Sequence, residues 1–119
     1  MSEVLTFLFG KEKTLFYLLV AVSSLDYITG LCAAIHMHKV SSQIGHKGIT
    51  RKIVIFILVA TSSMIDRYLL ESTGVLYSVC IVFYITNECI SVIENSVKMG
   101  IPIPEQLKKA LNSLKKTNK

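Results

Sequence analysis

The chain has 119 residues, a length that fits one compact unit or a few helices with a tail. Hydrophobic residues make up 51% of it and its mean hydropathy is +0.53, which favours a membrane protein, although a soluble helical bundle stays open. The net charge of +5 is modest and the lysines are not interleaved with aromatic residues, which argues against nucleic-acid binding.

The first predicted element is a membrane-spanning helix over 14–36. Its apolar core, Thr14–Ile35, has 22 residues and no charge except Asp26, whereas a bilayer crossing needs about 20 residues. An Asp at the centre of a helix costs about 2.5–3.5 kcal/mol, and each strong apolar residue contributes roughly 0.3–0.6 kcal/mol. Insertion is therefore marginally favourable, and we expect Asp26 to face other helices or water.

Small and polar residues share the face of Asp26 at helical spacing: Ser23, Asp26, Gly30 and Ala33. Gly30 and Ala34 form a small-xxx-small pattern, which lets two helix backbones approach closely. This face is a candidate helix interface or pore lining. For Asp26 itself, a structural packing role with a hydrogen bond to a nearby group and a pore-lining role are both open.

The next segment, His36–Lys52, is rich in Gly, Ser and basic residues and predicts an exposed loop. Three histidines lie in it: His36, His38 and His46. They have no Cys or acidic companion, so we interpret them as interfacial polar residues rather than as a zinc site.

The second predicted helix, 52–71, contains the uncharged run Ile53–Ile65. That run has only 13 residues, but Lys52 and Arg67 can extend toward the headgroups and complete a span. The helix has a polar line of its own, formed by Val59, Ser62, Ser63 and Asp66.

The third predicted helix, 75–99, follows the short connection ESTG. Polar residues recur along it at steps of three and four: Tyr84, Asn87, Glu88, Ser91, Glu94, Asn95 and Lys98. Glu94 and Lys98 could pair at this spacing. Such polar lines must face one another or a water-filled lumen, and three helices enclose no wide channel, so we expect copies of the chain to associate.

Gly100 and the I-P-I-P stretch end the third helix, and Pro104 can begin another. The predicted tail helix, 104–116, has an apolar face and a basic one. The candidate membrane-surface residues on it are Lys108, Lys109, Lys115 and Lys116. The helix could lie on an anionic bilayer or pack on a partner, and a solvated tail is the alternative.

The basic residues also predict the orientation of the chain. With three spans, the 36–52 segment and the C-terminus lie on one side and carry ten cations, against three on the other side. The positive-inside rule then places the C-terminus in the cytoplasm and the N-terminus outside.

The sequence offers no pattern for catalysis. Phosphate-binding glycine loops, a nucleophile with a base, and paired carboxylates on a soluble scaffold are all missing from it. The three cysteines lack metal or redox spacing, and we interpret them as apolar packing residues. We therefore expect no enzyme activity, cofactor, catalytic residue or metal site.

Three stretches of the chain resemble the phage holin family that includes the clostridial toxin-secretion holins. They are LDYITGLCAAI, KVSSQIGHKGITRKI and NECISVIENSVKMGIPIPEQLKKAL. The resemblance implies a small three-helix protein of the bacterial cytoplasmic membrane that oligomerises and opens lesions. An endolysin, or in some relatives a large toxin, leaves through them without required direct contact.

Two other functions fit the residues alone. One is a small ion channel or transporter subunit. The other is a membrane scaffold that recruits a partner through the basic tail helix.

Overall fold

All regular secondary structure is helical in the part of the chain that the structure, a computed structural model, describes: residues 2–71 and 74–117. The elements are α1 Ser2–Phe9, α2 Thr14–His36, α3 Ser42–Met64, a π-helical turn Ile65–Leu69 that continues α3, α4 Val75–Lys98 and α5 Glu105–Thr117. Three segments are long and apolar enough to cross a membrane: α2, α3 with its π-helical turn, and α4. The predicted all-α membrane protein with three spans and a short C-terminal helix is confirmed.

The core is built from one buried face of each spanning helix. Helix α4 packs along α2 and also contacts α3, whereas α2 and α3 approach each other less closely. Leu19, Val59 and Ile81, one from each of these helices, are completely buried. The outer faces of the three spanning helices carry exposed Leu, Ile and Val side chains, as expected for helices that are surrounded by lipid.

Helix α3 begins ten residues before the predicted start at 52, so the predicted loop over 36–52 is wrong for most of its length. The connection between α2 and α3 is only residues 37–41. Ser41 caps α3, since its Oγ accepts a hydrogen bond from the Ile44 N–H at 3.2 Å. The helix continues through a sequence whose glycines and cations are typical of a loop.

The glycines of this first part of α3 face Tyr27 on α2. A Cβ atom at Gly45 would lie 3.2 Å from the Tyr27 hydroxyl, and one at Gly48 would lie 3.6 Å from the ring. The missing side chains therefore give room for Tyr27 between the two helices. The glycines that predict a loop from the sequence alone thus form a helix-packing surface.

The short helix α1 was not predicted. Its last residue, Phe9, is buried against Phe16 with ring centroids 4.3 Å apart, which docks α1 on the start of α2. Between the two helices, hydrogen bonds from the hydroxyl and the backbone N–H of Thr14 lower the pKa of the Glu12 carboxyl below its ordinary value.

Helix α4 ends as the sequence predicts. Gly100 adopts a left-handed φ of +78°, which favours glycine. The N–H of Gly100 donates to the Val97 carbonyl, and the N–H of Ile101 donates to the Ser96 carbonyl. This is the hydrogen-bond pattern of a Schellman motif. It redirects the chain into α5, which lies against α4.

Candidate functional site

A lysine held by two carboxylates joins the three spanning helices. The Nζ atom of Lys52, on α3, lies 2.7 Å from Oδ2 of Asp26 on α2 and 2.7 Å from Oε2 of Glu88 on α4. The three side chains are 17%, 13% and 6% exposed, respectively. The expectation that Lys52 extends toward the headgroups is wrong, because the half-buried Asp26 carboxylate and the buried Glu88 carboxylate lie within its reach.

Asn95 completes the environment of Asp26. Its Nδ2 lies 3.0 Å from Oδ1 of Asp26 and 3.0 Å from the Thr29 hydroxyl. Both carboxylate oxygens of Asp26 therefore accept a hydrogen bond from another helix. Bonds to a charged group are worth about 1.5–3 kcal/mol each, which offsets the cost of an acid in the middle of an apolar helix.

This Asp26–Lys52–Glu88 cluster lines a polar cavity of about 300 Å³ between α2, α3 and α4. Asn87 and Ser91 on α4 and Gly30 on α2 also line it. A Cβ atom at Gly30 would lie 3.6 Å from the amide nitrogen of Asn95, so a glycine here permits the close approach of α2 and α4. These positions of the predicted site thus come together around one polar centre.

A second group of predicted residues lies near the other end of the spanning helices. Asp66 is 1% exposed and accepts hydrogen bonds from the backbone N–H groups of Leu76 and Tyr77, at 3.3 and 2.6 Å. Its carboxylate therefore caps the N-terminus of α4, where the helix dipole is positive. The sequence predicted that Asp66 lies at a helix interface. It did not predict that the carboxylate bonds to the backbone of Leu76 and Tyr77, which are 10 and 11 residues further along the chain.

Arg67, next to Asp66, contacts a different helix end. Its guanidinium donates to the backbone carbonyls of Thr6 and Phe7, in the last turn of α1. A cation at the C-terminal end of a helix is favourable because the dipole is negative there. The sequence predicted that Arg67 extends to the headgroups, whereas in the structure its guanidinium bonds to the end of α1.

The remaining predicted residues of the interface lie outside these two centres. The Ser62 hydroxyl donates to the Val59 carbonyl at 2.7 Å, and the Ser63 hydroxyl accepts from Arg67 at 3.3 Å. Ser23 is 4% exposed and borders an apolar groove of about 770 Å³ between α2 and α3. Ala34 is half-buried near the end of α2.

The polar lines of the three helices meet inside one copy of the chain. Helix α4 lies between α2 and α3, and Lys52 connects their carboxylates. Burial of these lines therefore does not require a second copy, contrary to the reasoning from the sequence. The polar lines are therefore not evidence that copies of the chain associate.

The tail helix is attached to α4 by an ion pair. Lys115 Nζ lies 3.2 Å from Glu94 Oε2, so the predicted pairing of Glu94 with Lys98 is wrong. All four candidate membrane-surface lysines of α5 are exposed: Lys108, Lys109, Lys115 and Lys116. Their contact with a bilayer stays a prediction. The three histidines of the predicted loop are also exposed: His36, His38 and His46.

Comparison with known proteins places the chain in a family. A model of the bacteriophage holin family matches residues 3–116, which is nearly the whole chain. The chain belongs to the bacteriophage holin family. Membership of this family and the three apolar helices make it a multi-pass membrane protein, and they suggest a non-enzymatic one.

Relatives of this holin-family protein occur in bacteria and in a phage. A probable holin of Bacillus phage phi105 is 32% identical over 112 residues, which cover 94% of this chain and 82% of the phage protein. Uncharacterised proteins of Halalkalibacterium halodurans and Listeria innocua are 41% and 42% identical, over 97% and 90% of this chain and 88% and 76% of theirs. No solved structure matches.

Proposed function

We propose that this protein is a holin that assembles from several copies in the bacterial cytoplasmic membrane and forms non-specific lesions. The lesions would release an endolysin and so lead to lysis of the host cell; export of a large toxin is the other possible use. The observation that carries the proposal is the family match over residues 3–116, and the probable holin of Bacillus phage phi105 supports it. We further propose that the C-terminus faces the cytoplasm.

The Asp26–Lys52–Glu88 cluster suggests how such a protein could exist in a closed and an open form. In the closed form, the polar groups of all three spanning helices bond to one another. Separating the helices in lipid would leave charges without partners, at a cost of about 3–5 kcal/mol. Water in a lesion would solvate these charges and lower that cost.

Because separating the helices costs less in water than in lipid, we expect the opening to be cooperative. A single copy in lipid keeps its cluster closed, whereas many clustered copies that admit water together can open theirs. Asp26, Glu88, Asn87 and Ser91 are then the candidates for the lesion lining. A partner enzyme needs no direct contact with the holin, because a non-specific lesion selects only by size.

Inducible expression of the full chain in bacteria tests the proposal. We expect loss of membrane potential followed by release of cytoplasmic proteins, with the protein verified in the membrane fraction. Retained potential and viability at high expression would refute the proposal. Loss of potential with full retention of proteins would favour the small ion channel instead.

The Asp26→Leu variant addresses the role of the cluster in this assay. At equal membrane expression we expect a changed time of lysis. In this variant Lys52 forms an ion pair with Glu88 alone, and α2 no longer contributes a charge to the cluster. Leu25→Ala, an exposed neighbour on α2, is the control. Identical timing in Asp26→Leu and wild type would remove Asp26 from the mechanism.

A further inference from the structure

The polar cavity above the Asp26–Lys52–Glu88 cluster has cations that the cluster does not use. Arg51 and Lys98 line this cavity, from the first part of α3 and the last turn of α4. Within residues 2–71 and 74–117, neither side chain forms an ion pair or a hydrogen bond. Both carboxylates of the lining are already bonded to Lys52.

The charges of the lining leave a positive excess. Counted with their formal charges, Arg51, Lys52 and Lys98 contribute three positive charges and Asp26 and Glu88 two negative ones, so the sum is +1. The excess lies on Arg51 and Lys98, the exposed cations at the cavity rim, since Lys52 is bonded to both acids. An anion at the rim would therefore meet a guanidinium and an ammonium group.

The position of the cavity indicates where such an anion comes from. It lies at the end of the bundle where α2 connects to α3, and the uncharged run of α3 starts at Ile53, directly after Lys52. Leu31 and Ile44 add apolar surface to the same lining. A ligand with a charged head and an apolar body fits this combination better than a free anion does. Basic pockets between spanning helices are known to hold anionic lipid headgroups.

We propose that this cavity binds the phosphate of an anionic phospholipid, with Arg51 and Lys98 as its ligands. The planar guanidinium of Arg51 can donate two parallel hydrogen bonds to phosphate oxygens, and Lys98 adds a point charge. The bound lipid connects the first part of α3 to the last turn of α4 and thus closes the cavity over the cluster. This site is independent of lesion formation and goes beyond the proposed function.

Native mass spectrometry of the full chain in detergent tests the site, with phosphatidylglycerol and phosphatidylcholine added in equal amounts. We expect one phosphatidylglycerol to be retained per copy in preference to phosphatidylcholine. Arg51→Gln with Lys98→Gln should weaken this binding roughly a hundredfold, about tenfold for each charge-assisted contact. Equal retention of the two lipids by the wild type would overturn the proposal.

A matched control separates a built site from general charge. Lys39→Gln with Lys47→Gln removes the same charge from two exposed positions outside the cavity, and we expect a change of less than about threefold. Equal losses in the two double variants would overturn the proposal. Should Arg51→Gln/Lys98→Gln fail to fold, Arg51→Lys replaces it, with a smaller loss expected and unchanged binding contradicting the proposal.

Excess inorganic phosphate distinguishes the lipid from a free anion. Because the apolar part of the lining contributes only to lipid binding, inorganic phosphate should leave the retained phosphatidylglycerol in place. Displacement by phosphate would show a site for small anions and would overturn the assignment to a lipid.

Discussion

The Nζ atom of Lys52 lies 2.7 Å from Oδ2 of Asp26, and the two residues are 26 positions apart in the chain. The contact accounts for an acid in the middle of an apolar helix. A charge that is unfavourable in an isolated helix gains a partner when α3 packs beside α2. The same ammonium group also bonds to Glu88, so one lysine secures all three spanning helices.

Replacing Lys52 with Met is expected to destabilise the bundle strongly. The buried Glu88 carboxylate and the half-buried Asp26 carboxylate would then lie close together without a cation. Loss of one partner of a buried ion pair costs about 3–5 kcal/mol. Unfolding of the purified protein in mixed detergent and dodecyl sulfate micelles measures the change. Lys47→Met, at an exposed position of the same helix, should change stability by less than about 0.5 kcal/mol. Similar stabilities of the two variants would contradict the assigned contact.

Neutralising the whole cluster should recover most of this loss. The combination Asp26→Asn, Lys52→Met and Glu88→Gln removes every charge, and buried ion pairs are often replaced by neutral groups without loss of stability. The triple variant should therefore be more stable than Lys52→Met alone in the same micelle titration. A triple variant that is no more stable would show that packing of the Lys52 stem, rather than its charge, matters.

Asp66→Ala should loosen the start of α4. Two backbone N–H groups lose their acceptor, and loss of such a cap costs about 1–2 kcal/mol. Hydrogen exchange at Leu76 and Tyr77 should become roughly tenfold faster, since about 1.4 kcal/mol corresponds to a factor of ten. Asp66→Asn keeps an acceptor oxygen and should show a smaller effect. Unchanged exchange in Asp66→Ala would contradict the capping role.

The glycines of α3 give a test of the contact with Tyr27. Gly48→Ala places a methyl group at an ordinary contact distance and should stabilise the helix by about 0.5–1 kcal/mol. Gly45→Ala should gain less, because its methyl group would meet the Tyr27 hydroxyl at 3.2 Å. Adding Tyr27→Phe should remove this difference.

The control for this series is Gly74, whose φ is +91°. Ala at that position is expected to destabilise by roughly 1–2 kcal/mol, because the left-handed conformation is strained for residues with a Cβ atom. All measurements use the same micelle titration. If Gly45→Ala is stabilised as much as Gly48→Ala while Tyr27 is present, the Tyr27 hydroxyl does not lie within 3.2 Å of a Cβ atom at position 45, and the assigned contact is contradicted.

Replacing the four lysines of α5 by Gln should release this helix from an anionic bilayer. The residues are Lys108, Lys109, Lys115 and Lys116. Each lysine near an anionic surface contributes about 1 kcal/mol, so backbone hydrogen exchange over 105–117 should increase in vesicles that contain phosphatidylglycerol. In vesicles of phosphatidylcholine alone, the variant should differ from the wild type only through loss of the exposed Lys115–Glu94 ion pair, which is worth less than about 1 kcal/mol. If the change from wild type to variant is the same in both vesicle types, the lysines of α5 do not bind the anionic membrane surface.

Local sequence patterns predicted α2 and α4 well, together with the end of α4, but not the start of α3. The apolar lengths of α2 and α4 are sufficient for crossing a bilayer, and Gly100 ends α4 through a backbone conformation that few other residues adopt. These properties depend on neighbouring residues only. The same holds for α5, whose start after Pro104 follows from local backbone chemistry.

Contacts between distant residues could not be predicted in the same way. Gly45 and Gly48 are typical of a loop as long as their neighbours in the fold are unknown. Tyr27, which lies beside them, is 18 and 21 positions earlier in the chain. The extended side chain of Lys52 can reach either headgroups or acids inside the bundle, and only the packing of α3 against α4 and α2 decides the outcome. Asp66 likewise acquires its partners from the next helix.

The central proposal, lesion formation by this chain, is tested most directly with purified full-length protein in liposomes. The liposomes contain a small dye and a fluorescently labelled protein of the size of a typical endolysin. We predict that both are released once the density of the inserted chain passes a threshold, with the dye and the protein leaving together. Liposomes that contain the inserted chain at high density and retain both cargoes would contradict the account.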